Sequence, residues 1–218
     1  AYSAYDRATG AVVRQIVDVN TSSGSDFASL PFGWGTPAAG GLHLKTDTLV
    51  DSLGRPTQLT DPHDKVSYFT YGASSDSLRE SRIVQTLTME APGTHTGSEP
   101  LTNVKSLSRA YLDSAGRIYW SDRYWNLAGL SNYSEKNLGQ VKTHYYRTEY
   151  GFDQAGRPDR VRNAVGTVTR IVYDWLGRQE SVWVGINDQP ISGAWSPTSQ
   201  LNLVKVRQNE YDGGSAHT

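Results

Sequence analysis

The chain has 218 residues, enough for one large all-β domain or one to two smaller ones, and 21 Lys and Arg nearly balance 22 Asp and Glu for a net charge of -1. That balance excludes a phosphate-tracking groove, which needs a basic excess. No apolar run approaches the ~18 residues of a membrane span, and the absence of cysteine excludes disulfides and thiolate metal sites.

Tyr 13, Trp 6, Gly 21 and Pro 9 beside a single Met describe many short strands punctuated by turns. In chain order, Tyr5-Asp6-Arg7-Ala8-Thr9-Gly10 is the first turn signal. Residues 20–41, rich in Ser, Gly and Pro with Phe27, Phe32 and Trp34, predict an ordered loop or ragged hairpin. Leu49-Val50 then runs into Asp51-Ser-Leu-Gly54-Arg55, and Thr60 to Tyr71 is a strand return through Asp61-Pro62-His63-Asp64. Over Ser77–Met89 a partial helical period competes with the β-branched run Arg82 to Thr88, which favours strand. Residues 90–102 carry Pro92, Gly93, Gly97 and Pro100 and predict a flexible surface loop.

Tyr111-Leu112 leads into Asp113-Ser-Ala-Gly116-Arg117 and the strand Arg117 to Trp120. Tyr150-Gly-Phe152 leads into Asp153-Gln-Ala-Gly156-Arg157, and Ile171-Val-Tyr173 into Asp174-Trp-Leu-Gly177-Arg178 with the strand Arg178 to Val184. Another connection falls at Asn163-Ala-Val-Gly166. Residues 185–200, with Pro190, Gly193 and Pro197, form a third insertion, and Tyr211-Asp212-Gly-Gly214 repeats the signal near the end.

Asp-x-x-Gly-Arg therefore occurs four times, and from Asp6 the Asp-to-Asp steps are 45, 62, 40, 21 and 38 residues. These are near multiples of a unit of about 20 residues, the mark of a repeat architecture. Chemistry fixes what each unit is. The Asp carboxylate accepts a backbone N–H two residues on and favours a type I turn. The Gly supplies the positive φ that closes the loop with a bulge. Each unit reads as strand, tight turn, strand.

No other pattern selects chemistry. His43, His63, His95, His144 and His217 are scattered, so no metal site is expected. No nucleophile elbow, phosphate loop or dinucleotide fingerprint occurs, and no cofactor is expected. Asp61-Pro62-His63-Asp64 places two carboxylates around an imidazole, which suits acid–base work, but Asp-Pro is first of all a turn opener. Arg55, Arg117, Arg157 and Arg178 are expected to pair with their own turn Asp or to stack on an aromatic neighbour rather than to bind an acidic polymer. Trp120, Trp125 and Trp183, with Tyr119 and Tyr124, are the candidates for glycan stacking, a role that competes with cross-strand packing.

Tyr-Asp-x-x-Gly-Arg in such units resembles the YD repeats of bacterial RHS proteins, toxin-complex shells and teneurins. The segment Asn163 to Arg178 matches that pattern almost throughout, and residues 42–72, 107–125, 145–185 and 203–214 carry it recognisably. Val50, Leu112 and Phe152 replace the Tyr, and Asp64 stands where the family has Gly, so that this turn is expected to differ. The resemblance implies a curved antiparallel sheet of hairpins that spirals into a shell, with little helix. It also raises self-cleavage at Asp61-Pro62, which lacks the Gly-rich context of that reaction. The expectation is one YD-repeat segment over 1–218, non-enzymatic, extracellular or at a bacterial cell surface, and part of a larger protein because both ends fall inside a unit. Its partners would be the rest of that polypeptide or copies of itself, with an enclosed effector or a surface glycan beyond them, and neither nucleic acid nor a membrane span. A carbohydrate-binding or adhesion module is the alternative.

Overall fold

The computed structural model describes residues 1–36, 40–74, 81–89, 104–130, 138–189, 195–197 and 202–211. Among these the protein is all-β. Its strands are β1 (Tyr2–Tyr5), β2 (Val12–Val17), β3 (Leu44–Val50), β4 (Pro56–Thr60), β5 (Val66–Ser74), β6 (Ser81–Met89), β7 (Val104–Leu112), β8 (Ile118–Tyr124), β9 (Tyr145–Phe152), β10 (Pro158–Arg162), β11 (Val168–Tyr173), β12 (Gln179–Gly185) and β13 (Leu203–Gln208). The only helical element among the described residues is a 3-10 turn at Gly24–Asp26. No helix there is long and apolar enough to cross a membrane. Of the segment with a competing helical period, Ser81–Met89 is described and is strand β6, in keeping with the preference of β-branched residues for an extended backbone. The expected loop at 90–102 lies outside the described residues.

The chain divides into two compact units, one formed by Ala1–Ala73, Ile83–Arg109 and Leu127–Leu138, the other by Ser74–Arg82, Ala110–Asn126 and Gly139–Thr218. In the first, β1 to β5 pair in chain order as an antiparallel meander. In the second, β8 to β13 do the same. The register breaks beside the Asp-initiated turns, at Ala4/Tyr5, Leu49/Val50, Pro158/Arg160 and Val172/Tyr173. One extra residue is absorbed there as a bulge, which also strengthens the local twist.

The buried positions mix tyrosine and tryptophan with aliphatic residues. Ile16, Val66 and Tyr68 are buried in the first unit. In the second, Tyr119, Tyr124 and Tyr145 are buried, and Val168, Trp183 and Leu203 form a cluster against which Val172 and Trp195 pack. Turn tips stay wet: Leu53, Val165, Trp175 and Leu176 are exposed, as residues between turn Asp or Asn and Gly must be. The insertion at 185–200 is more than surface loop. Asp188, 7% exposed, and Trp195 are both drawn onto the sheet of the second unit.

Candidate functional site

The repeated turn is the recurring built feature of this chain. In each copy the Asp N–H donates to the Arg carbonyl and the Gly N–H to the Asp carbonyl, at 2.9 Å, for Asp51/Gly54/Arg55, Asp113/Gly116/Arg117, Asp153/Gly156/Arg157 and Asp174/Gly177/Arg178. The glycines take φ values of 75°, 78°, 80° and 82°, the left-handed region where a side chain is strained. Asp Oδ1 accepts the Arg backbone N–H, and Oδ2 accepts Arg Nε at 2.8, 2.9, 2.6 and 2.8 Å in chain order. The carboxylate thus closes the loop and aims the guanidinium.

These bonds set the acidity of the turn. The Arg55 side-chain hydrogen bond holds Asp51 below the usual carboxylate value. At Asp113, Asp153 and Asp174 burial pushes upward and is outweighed by the backbone and side-chain hydrogen bonds of the following Arg, so these also lie low. They are ionised turn formers, the wrong state for a general acid at neutral pH.

Each guanidinium then covers an aromatic ring on the next strand. Arg55 lies 4.3 Å from the Tyr71 centroid, Arg117 4.5 Å from Phe152, Arg157 4.4 Å from Tyr173 and Arg178 4.2 Å from Tyr211. Strand register explains the pairing. Continuing from Gln58↔Tyr68, Trp120↔Glu149, Arg160↔Arg170 and Ser181↔Gln208 by three residues puts these arginines and rings directly opposite one another. Where the ring is Tyr, its hydroxyl donates to the carbonyl just after the arginine: Tyr71 to Pro56, Tyr173 to Pro158 and Tyr211 to Gln179, at 2.8, 2.6 and 2.8 Å. The turn at Asp6–Gly10 ends in Ala11 instead of Arg, and the register Arg14↔Asp47 carries Ala11 opposite Val50. Guanidinium and ring occur together, or both are absent.

Two further turns use the same bonding with other residues. Asn163 Oδ1 accepts the N–H groups of Val165 and Thr167. Asp61 Oδ1 accepts those of His63 and Lys65, and Asp64 takes the Gly place at φ 58°. Contrary to expectation this turn keeps the common geometry, because a short Asp side chain tolerates the left-handed region. The Lys65 backbone hydrogen bond leads the groups that hold Asp61 low, so its carboxylate is occupied by the turn.

Buried charge was not foreseen from the sequence. Asp122, fully buried, accepts Arg147 Nε and Nη2 at 2.7 and 2.8 Å, and the Arg147 guanidinium lies 4.3 Å from the Trp120 centroid. Asp188 accepts Arg160 Nε at 2.7 Å and Arg170 Nε at 2.8 Å, and Arg170 reaches Asp159 at 2.9 Å. Burial pushes the Asp159 carboxyl up despite Arg170, while at Asp188 burial is outweighed, above all by Arg160.

Two cavities are lined by such groups. One of about 340 Å³ meets Asp113, Arg117, Phe152, Asp159 and Arg170. Another, of about 820 Å³, meets Tyr2, Arg14, Asp26, Phe27 and Asp47. In the larger, Arg14 is paired to Asp47 and Asp26. His43 Nδ1 faces the Asn20 N–H at 3.1 Å, which leaves Nε2–H to donate to Asp26 Oδ2 at 3.2 Å. Both ring nitrogens are therefore engaged within the chain. Among the described residues, no three His, Asp or Glu side chains stand together as metal ligands.

The three candidate glycan tryptophans part company. Trp183 is 5% exposed within the Val168–Leu203 cluster, so its ring is core; its Nε1–H donates to Ser181 Oγ. Trp120 is half-buried, with Arg147 above it and Tyr111 edge-on at 5.6 Å. Trp125 alone is widely open, 55% exposed and stacked on exposed Tyr146 at 5.9 Å.

No family model matches the chain, and neither does any curated protein. Among solved structures it is similar to a chain of the Tc holotoxin pore of Photorhabdus luminescens, at 18% identity over 66% of this chain with a TM-score of 0.33. It is also similar to TcdB2-TccC3-Cdc42, at 18% over 86% with a TM-score of 0.34, and to TcdB2-TccC3, at 17% over 86% with a TM-score of 0.34. The chain spans 8%, 10% and 11% of the length of those three chains.

Proposed function

We infer that this chain is a structural, non-catalytic stretch of a wall built from stapled hairpins. One observation carries the reading: in all four Asp-x-x-Gly-Arg turns the carboxylate and the guanidinium are engaged in the turn and in the ring of the next strand. A repeat whose recurring charged groups hold its neighbours in register is organised for mechanical continuity rather than turnover. On this reading the wall belongs to a larger extracellular or cell-surface protein of the YD-repeat kind, and what it encloses or displays is the function of the whole. The test is the intact mass of the native polypeptide containing this sequence, followed by protease challenge. A mass far above 24.0 kDa with the segment resistant to cleavage is expected. A free 24.0 kDa protein with an activity abolished by removing a single carboxylate would overturn the reading.

A second reading rests on the open stack of Trp125 and Tyr146, which suits a sugar ring face. A glycan array read by tryptophan fluorescence decides it: binding lost in Trp125→Ala supports it, and silence with the parent chain rejects it.

A further inference from the structure

The co-occurrence of ring and guanidinium points at Tyr5. It stands immediately before turn Asp6, as Phe152 and Tyr173 stand before Asp153 and Asp174. Its register break is theirs as well: Tyr5 pairs with Val12 across the bulge, as Tyr173 pairs with Gln179. Yet Tyr5 is 61% exposed, on a strand that pairs only with β2 among the described residues. Tyr71, Phe152, Tyr173 and Tyr211 each lie under an arginine, and each Tyr among them donates its hydroxyl to the carbonyl after that arginine. Val50, with no arginine opposite, carries no ring. An aromatic residue at this position marks an arginine on the neighbouring strand.

We propose that the outer edge of β1 is a docking site for the strand that follows an Asp-x-x-Gly-Arg turn, laid antiparallel so that its arginine covers the Tyr5 ring and its next carbonyl accepts the Tyr5 hydroxyl. The occupant is a hairpin of the same wall lying outside these 218 residues. A second copy of this chain does not supply it, because the four strands that follow such turns, β4, β8, β10 and β12, each already have a strand on both sides. Strand addition at an open edge provides backbone hydrogen bonds to any extended segment. The arginine on Tyr5 selects among segments and fixes the register, since a slip of one residue turns the guanidinium to the other face.

The inference rests on the wall reading and is tested on the full chain. A fluorescein-labelled peptide with the sequence of Val168 to Gly185, which holds the Asp174 turn and Arg178, is titrated with the 218-residue protein and followed by anisotropy. Saturable binding is expected, weakened at least about fivefold by Tyr5→Ala and by Arg178→Ala in the peptide, and largely kept by Tyr5→Phe, which retains the ring as Phe152 does. No binding, or binding indifferent to Tyr5 and to the peptide arginine, overturns the proposal. Indifference would leave the coupling of Arg157 to Tyr173 inside the chain untouched, so that the docking site and the wall reading fail separately. Tyr5 is exposed, so its substitution removes no core contact, and the peptide variant leaves the protein unaltered.

Discussion

At Gly156 and Gly116 the same backbone demand meets different surroundings. Both take positive φ, 80° and 78°, but a Cβ on Gly156 would stand 3.1 Å from Arg117 Nη1, whereas one on Gly116 would meet nothing within 4 Å. Gly156→Val is therefore expected to carry conformational strain and to displace the arginine of the preceding hairpin, and Gly116→Val strain alone. The strain is about 1–2 kcal/mol, and the displaced stack adds roughly 1 kcal/mol. Urea midpoints of the two variants measure the difference; equal losses would mean that the turn glycine does not seat the neighbouring guanidinium. The turn itself was legible in the sequence because every bond that defines it lies within five residues, Asp51 to Arg55 for example. The partner of the arginine was not, because it depends on which strands pair. A trace was nevertheless there: Arg55 and Tyr71, like Arg157 and Tyr173, are 16 residues apart wherever no insertion intervenes.

Between elements, ion pairs decide what the insertions do. Asp188 follows β12, in a segment whose composition signals only loop, yet its carboxylate bridges Arg160 of β10 and Arg170 of β11. Removing it takes the shared partner from two guanidiniums, their side chains 21% and 17% exposed, and leaves Arg160 with Glu149 at 3.3 Å and Arg170 with Asp159 at 2.9 Å. Asp188→Ala is expected to lower stability by about 2 kcal/mol, because two charge-assisted hydrogen bonds to a buried carboxylate are lost while each arginine keeps a second carboxylate. Thermal unfolding checks it, and a loss below about 1 kcal/mol would show the bridge to be incidental. Local pattern could not reveal this contact, since its partners lie 28 and 18 residues upstream. Trp183 escaped for a different reason. In Ser181-Val-Trp-Val-Gly185 both faces carry apolar residues, so alternation does not say which one is buried. Over Ser81–Met89 the competing helical period gave way to β6 because β-branched residues crowd a helix but fit a pleat.

Across the whole molecule the turn carboxylates act together. Asp6, Asp51, Asp61, Asp113, Asp153 and Asp174 all lie below the ordinary value when folded. Their ionised forms favour the folded state, so this stability is complete above the unfolded Asp value of about 3.9 and is lost as pH falls through the lower folded values. Asp159, raised by burial, has the opposite sign and offsets part of this. The urea midpoint is therefore expected to fall between pH 7 and pH 3; an unchanged midpoint would mean that the turns do not contribute as a set.

The most direct test of the stapled wall is a double-mutant cycle on Arg157 and Tyr173, with Arg157→Ala, Tyr173→Leu and the pair compared by urea unfolding. The Arg157 guanidinium lies 4.4 Å from the Tyr173 ring while its Nε bonds Asp153, and only the stack is shared between the two positions. A coupling of about 1 kcal/mol is the predicted result. Additivity within about 0.3 kcal/mol would show that adjacent hairpins are held by backbone pairing alone, and would contradict the account.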